Sequence, residues 1–395
     1  MKPTLYTMKN IFLLISLFCS LLNFGQANST YFVIDAKMAA IPAIATTSTQ
    51  GIANYINANF KTETDKIRAA YYWTSSNISY DIPGMYAVKF NETVQQKIEM
   101  TLKSRKGVCV HYASVFNDLS QKIGIQSYII QGYNKQNGKV SNLAHAWIAA
   151  KIDKKWSIFD PTWGSGYVNS GKFYKKLDNA YFKAEPSIII ASHIPFDYLW
   201  QFSNYPITNN EFYEGKIQIN KGKKYFDFEK EITKHHNLSE VDQLVASAQR
   251  IKKNGLINDM IMERYQGKQK QLTYLRHNSN IQHLNSIVNE MNEAVVLLND
   301  FIRYRNNKFS PVFSDDEIYR MIELPREKLA KCQNDVSKVG SVGSENAPNV
   351  DSIKKSIGRA LAQAEVHSSF VQDYLNTSKT VRKTMFFKGY RLGAR

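Results

Sequence analysis

The stretch KGVCVHYASVFNDLSQKIG, Lys106 to Gly124, decides how this chain is read. Ala113, Phe116, Leu119 and Ile123 repeat at helical spacing, and Gly124 supplies a C-terminal stop. The Gly107–Val108 turn opens that run, so Cys109 falls in the first turn of the helix. Unpaired N–H groups and the helix dipole favour negative charge there. Such a position suits a thiolate, the nucleophilic form of cysteine. A cysteine in this place also serves as a small apolar residue, so its neighbours must decide between the two readings.

Working outward, the pattern changes after Gly124 to the strand-like runs IQSYIIQGY, LAHAWIAAKI and KWSIFDPTW, and IDKKW makes a compact hairpin connection between the last two. Nucleophilic cysteine chemistry needs a base and a group that orients the base. AHAW offers His145 and FDPTW offers Asp160, on neighbouring strands. If Ile152 pairs with Lys155 across a two-residue turn, His145 falls opposite Thr162 and diagonal to Asp160, on one face with Trp147. A diagonal pair lies roughly 7–8 Å apart, within side-chain reach. A one-residue slip would separate the two onto opposite faces. Each residue has a plainer reading, a half-buried strand histidine and an Asp-Pro-Thr turn. Their coincidence with Cys109 favours a Cys109–His145–Asp160 triad.

KGVCVHYASVFNDLSQKIGI, AHAWIAA and WSIFDPTWGSG resemble the three core motifs of the transglutaminase-like superfamily, within the papain-like cysteine peptidase fold. YYWTSSNISYD and HIPFDYLWQF resemble the segments that flank this core in the kyphoscoliosis and cytokinesis-protein branch, and the likeness covers about residues 60–205. It implies a helix bearing the cysteine packed on an antiparallel sheet, with Cys109, His145 and Asp160 catalytic. The chain departs from the family in having His111 where a small residue is usual, and Tyr198 where proline follows the Phe-Asp pair. Two positions along a helix from Cys109, His111 points elsewhere and does not replace His145 as base. Candidate oxyanion donors are the Cys109 N–H and a side chain of WTSSNISY, in which Trp73 and Tyr80 read as core. No second cysteine or close ligand pair joins Cys109, His111 and His145, so no metal or organic cofactor is expected.

The rest of the chain frames this core. Residues 31–110 mix helix with irregular stretches, including a helix from Asp65 to about Asn77 with Ile67, Ala70, Tyr71 and Trp73 inward, and another over 92–104. Residues 170–228 read as irregular, aromatic-rich and packed on the strand layer. Beyond Thr233 the chain reads as helical, with caps at Ser239 and at Ser314–Glu317. A long helix there carries the stripe Leu284, Ile287, Met291, Val295, Leu298 and Ile302, and 339–349 reads as a flexible loop. The organisation expected is a signal peptide over 1–26, a transglutaminase-like domain with its aromatic extension over 27–232, and an all-α domain over 233–395, giving an α+β core followed by helices.

The signal reading rests on Lys2, Lys9 and the apolar run Ile11 to Leu22, too short to span a bilayer comfortably. Cleavage leaves no integral membrane span and places the protein in the periplasm or outside the cell. Phe18 stands where a lipid anchor on Cys19 would want a small residue. Cleavage also leaves Cys109 and Cys332, too few for a disulfide scaffold. The formal charge of +17 argues for attraction to an anionic cell-envelope component and, with no recognition motif present, not for nucleic acid. The terminal SKTVRKTMFFKGYRLGAR, with basic residues and no acidic one, reads as a solvated tail. The function expected is cleavage or transfer at an amide of a protein or peptide substrate through a cysteine thioester. The alternative is a catalytically silent fold serving as an envelope binding module.

Overall fold

The computed structural model describes residues 30–86 and 92–386. The expected signal segment and the last residues of the basic terminus, 387–395, lie outside them. Among the described residues, five α-helices run up to and include the cysteine: α1 (Phe32–Ala39), α2 (Thr49–Asn59), α3 (Glu63–Asn77), α4 (Val94–Ser104) and α5 (Cys109–Lys122). Local caps set their starts. Thr62 Oγ1 accepts from Asp65 N–H at 3.1 Å, so α3 begins two residues before the expected Asp65. Thr93 and Gln96 cap α4 reciprocally. The inward residues Ile67, Ala70, Tyr71 and Trp73 join Ile52, Ile56, Phe116 and Leu119 in one core. Buried Arg68 forks onto Asp35 at 2.8 and 2.6 Å, tying α3 to α1.

The parallel pair β1 (Ser79–Tyr80) and β2 (Lys106–Gly107) lies just ahead of the cysteine. The main sheet contains β3 (Ser127–Gln136), β4 (Lys139–Ile152) and β5 (Lys155–Phe159); β6 (Gly166–Asn169) and β7 (Lys172–Lys175) form a separate hairpin. A short strand, β8 (His193–Pro195), completes the main sheet in the order β5-β4-β3-β8, antiparallel throughout. The β4–β5 register is the one read from sequence, Ile152 opposite Lys155 and Ile148 opposite Phe159. Its turn residues Asp153 and Lys154 both have positive φ, 49° and 67°, as a two-residue turn matching strand twist requires. The ladder ends at Phe159, however, so Thr162 is not a strand partner of His145; the chain turns away at Asp160. Asn137 and Gly138 make a second tight turn that carries β3 and β4 beyond the runs read from sequence.

Ala146, Ile148 and Ala150 face the helical core, whereas Trp147, Trp156 and Ile158 meet Leu199 and Phe202 of the aromatic extension. That extension is less irregular than expected, holding β7, β8 and the short helices α6 (Pro186–Ile189) and α7 (Asn209–Tyr213). A Cβ at Gly132 would stand 2.1 Å from the Ile194 carbonyl oxygen, so glycine there lets β8 close onto β3. Tyr198 follows Asp197 into a short 3-10 turn, while Asp197 receives the Arg250 fork at 2.6 and 2.8 Å. The expected boundary at 233 falls inside α8 (Phe228–His236), which buries Ile232, and beyond it Ile251 and Ile261 pack with Phe196 and Phe212. The first compact unit therefore continues to Leu238 and takes up Ala246–Gln266.

The second unit takes Ser239–Val245 and the chain from Gly267. Across these bounds run α9 (Glu240–Lys253) and α10 (Asp259–Asn306), followed by α11 (Asp315–Ser337) and α12 (Ala347–Asn376). Ser239 and Ser314 cap as expected. Leu284 and Ile287 pack with Cys332, Val336 and Ile357; farther along, Leu298 packs with Phe301, Ile322 and Phe370. Met291, Val295 and Ile302 lean on these clusters, so the stripe is enclosed within its own unit. The loop read over 339–349 ends sooner, because Ala347 and Pro348 open α12. The basic terminus is also not solvated throughout. Arg382 is buried, forks onto Asp315 at 2.6 and 3.0 Å, and begins a short 3-10 helix reaching Phe386. No described helix is long and apolar enough to cross a membrane.

Candidate active site

Cys109 is the first residue of α5, after Val108 in extended conformation, and its side chain is half-buried. At that position its own N–H has no acceptor within the helix. His111, three residues after Val108, accepts the Val108 N–H on Nδ1 at 3.2 Å. A Cβ on Gly107 would lie 2.5 Å from His111 Cβ, so the glycine and the departing histidine accommodate one another. Burial lowers the His111 pKa despite the nearby Glu92. His111 is thus a neutral cap for the turn, tied to Val108.

His145 brings the other two groups together. Its Nε2 hydrogen-bonds Asp160 Oδ2 at 2.7 Å, and Cys109 is near enough to act on the ring and favour its charged form. Burial alone would push the His145 pKa down. The charge and hydrogen bond of Asp160, with smaller contributions from Cys109, more than offset it and raise the value to about 10. Asp160, although buried, is held well below the usual carboxylate range by His145 and His193. Its Oδ1 accepts the Thr162 and Trp163 N–H groups at 2.9 and 3.1 Å. Asp160 therefore both opens the Asp-Pro-Thr turn and orients His145. One oxygen serves each task.

Sequence reasoning missed His193, which lies in the quoted HIPFDYLWQF but received no role there. Its Nε2 reaches Asp160 Oδ2 at 3.1 Å, and its Nδ1 lies 2.7 Å from Ser192 Oγ. Trp147 and Trp163 flank both imidazoles, with Trp163 4.6 Å from the His193 ring and 5.8 Å from the His145 ring. This apolar wall keeps the charged pair in a low-dielectric setting. The signal for His193 was a histidine opening a short β-like run, but its pairing to β3 is remote in sequence.

His145, Asp160 and His193 present ligand-type atoms within 4.8 Å of one another. Their 2.7 and 3.1 Å contacts are N–H···O separations in which the groups satisfy each other, so the geometry reads as a hydrogen-bond cluster rather than an opened metal site. Of the WTSSNISY candidates for oxyanion donor, Thr74, Ser75 and Asn77 are committed to the carbonyls of Ala70, Pro161 and Trp73. The Cys109 N–H stays a candidate donor beside Ser76 and Ser79 of that stretch. Trp73 is fully buried beneath the Arg105 guanidinium, and Tyr80 packs on the same core, as expected.

Comparison with known proteins finds matches over this part of the chain. Residues 50–161 match the Transglutaminase-like superfamily. The chain is 29% identical over 161 residues to the human (Homo sapiens) kyphoscoliosis peptidase, covering 38% of this chain and 24% of that protein. With the mouse (Mus musculus) kyphoscoliosis peptidase it shares 28% over 158 residues, 38% of this chain and 23% of the relative. A UPF0252 protein of Methanocaldococcus jannaschii is 31% identical over 93 residues, 22% of this chain and 26% of that protein. The chain thus spans about a quarter of the length of the relatives it matches. On these grounds residues 50–161 belong to the transglutaminase-like superfamily, with their similarity in the kyphoscoliosis peptidase branch.

Proposed function

We propose that this protein is an exported cysteine enzyme that acts on amide bonds of a protein or peptide substrate through a Cys109 thioester. The observation that carries the reading is His145 held by a buried, four-donor Asp160, with Cys109 at the head of α5 among the groups that act on the His145 ring. The sulfur adds to the amide carbonyl, and the Cys109 N–H receives the oxyanion charge. His145 gives its Nδ1 proton to the leaving amine, the C–N bond breaks, and a thioester remains. His145 then takes a proton from the incoming water or amine, which displaces the sulfur. Water gives a peptidase or amidase; a lysine amine gives a cross-link. The chemistry uses no metal or organic cofactor. Kyphoscoliosis peptidases carry peptidase in their name, which favours hydrolysis as the first activity to assay.

Export rests on the 1–26 signal pattern, and the positive charge remaining after its loss suits an anionic envelope component as partner. Intact mass of protein recovered from the periplasm or medium tests cleavage: loss of the leading residues is expected, and a full-length chain held in the cytoplasm would overturn it. The catalytic reading is tested with an activated glutaminyl peptide and a fluorescent amine. A Cys109-linked acyl adduct by mass spectrometry, absent in Cys109→Ala, is expected. Its absence across peptide panels, with folded protein, would favour the binding-module alternative. Ammonia release without amine incorporation would assign hydrolysis.

A further inference from the structure

We propose that His193 is a positioning residue that makes Asp160 a fixed anchor for His145, so that the working unit is Cys109–His145–Asp160–His193. The inference rests on the triad reading and deepens it. Asp160 has two oxygens and four donors. Backbone N–H groups of Thr162 and Trp163 occupy Oδ1, and two imidazoles share Oδ2. One of those imidazoles exchanges its proton during turnover; the other does not. The Asp160 carboxylate only accepts, so the His193 Nε2 that meets it must donate, and Nδ1 accepts the Ser192 hydroxyl proton at 2.7 Å. That places the His193 proton on Nε2, aimed at Asp160.

Burial keeps His193 neutral, its pKa lowered first by desolvation and also by the His145 charge, although Asp160 pulls the other way. The backbone of His193 is pinned opposite Asn134 in the β3–β8 ladder. Its N–H is therefore a static donor. When His145 becomes neutral and its own bond to Oδ2 weakens, the carboxylate keeps this second bond and does not follow the ring. Without it a buried carboxylate lone pair loses its partner, and Asp160 can rotate toward other donors. Neither His193 nor Ser192 touches substrate in this account; both act through Asp160.

Two substitutions separate the donor from the ring. His193→Gln keeps an N–H near the Nε2 position and loses the aromatic wall; His193→Phe does the reverse. With the glutaminyl peptide at pH 7, His193→Gln is expected within about threefold of the parent protein. His193→Phe is expected to lose ~10–100-fold in kcat with KM unchanged, the scale on which outer hydrogen-bond partners act. Equal rates in the two variants, or loss in Gln with normal activity in Phe, would overturn the proposal. Should His193→Phe not fold, Ser192→Ala serves, removing only the hydroxyl that fixes the tautomer. A fall of about threefold in kcat is expected, on the lower side of that same scale, and no change would count against the proposal. His145→Ala is the control for the underlying reading: iodoacetamide labelling of Cys109 as fast as in the parent protein would defeat the triad itself, whatever the His193 variants do.

Discussion

Asp160→Asn should cost activity far more than fold. The Asn carbonyl can take over the Thr162 and Trp163 N–H groups, which leaves its NH2 facing two imidazoles that already present N–H there. His145 must then move its proton to Nδ1, toward the sulfur, and can no longer accept from the thiol. Triads that suffer this tautomer change lose about 10⁴-fold in kcat. Stability falls as well. The raised His145 pKa, about 10 against 6.5, marks how strongly the fold favours the imidazolium beside this carboxylate. Removing one partner of such a buried pair costs about 3–5 kcal/mol, which for a domain of this size lowers Tm by about 10 °C. The pH dependence has a definite sign. Because the His145 value is raised, its contribution is full below pH 6.5 and is lost as pH climbs toward 10. Because the Asp160 value is depressed, its contribution is present above its ordinary 3.8 and lost as pH falls through the acid range. The Tm gap between parent and variant should be widest between roughly pH 4 and 6.5 and narrow through pH 8–9. Calorimetry across that range, with peptide turnover at pH 7, checks both. A gap that does not vary with pH, together with parental turnover, would overturn the pairing of His145 with Asp160.

Further outcomes follow from individual contacts. Cys332 is buried and desolvation raises its pKa, so native protein should react with a thiol reagent at Cys109 alone, and equal modification of both by peptide mapping would contradict this. Gly132→Ala places a Cβ 2.1 Å from the Ile194 oxygen and 2.5 Å from Trp147; it should destabilise by about 1–3 kcal/mol and lower kcat by displacing β8 with His193, measured by urea melts and turnover. Asp35→Ala leaves the buried Arg68 guanidinium without its carboxylate and should cost about 3–5 kcal/mol in the same melts. Leu298→Ala should lower the stability of the helical unit by about 2–5 kcal/mol and leave Cys109 labelling unchanged.

What could be read in the sequence was what local signals specify. The Gly-Val-Cys turn, the periodic run behind it and the two-residue Asp153–Lys154 turn each lie within a few residues, and together they set the parity joining His145 to Asp160. The structure departs where partners are remote. β8 pairs with β3 from about sixty residues away, and only that pairing brings His193 to Asp160. Arg382 similarly finds Asp315 across the helical unit, a match that charge counting along the terminal stretch cannot reveal. The Asn137–Gly138 turn is a different case: its signal was present, and the strands on either side are longer than their apolar runs because turn and ladder extend them. Asp160 shows why opening a turn and orienting His145 need not compete, since a carboxylate has an oxygen for each.

Activation of Cys109 by His145 is read from the rate of Cys109 alkylation by iodoacetamide at pH 6 in parent and His145→Ala proteins. Rapid modification of the parent and a fall of at least ~100-fold in the variant are expected, as when a paired base is removed. Equal rates in two folded proteins would contradict that activation.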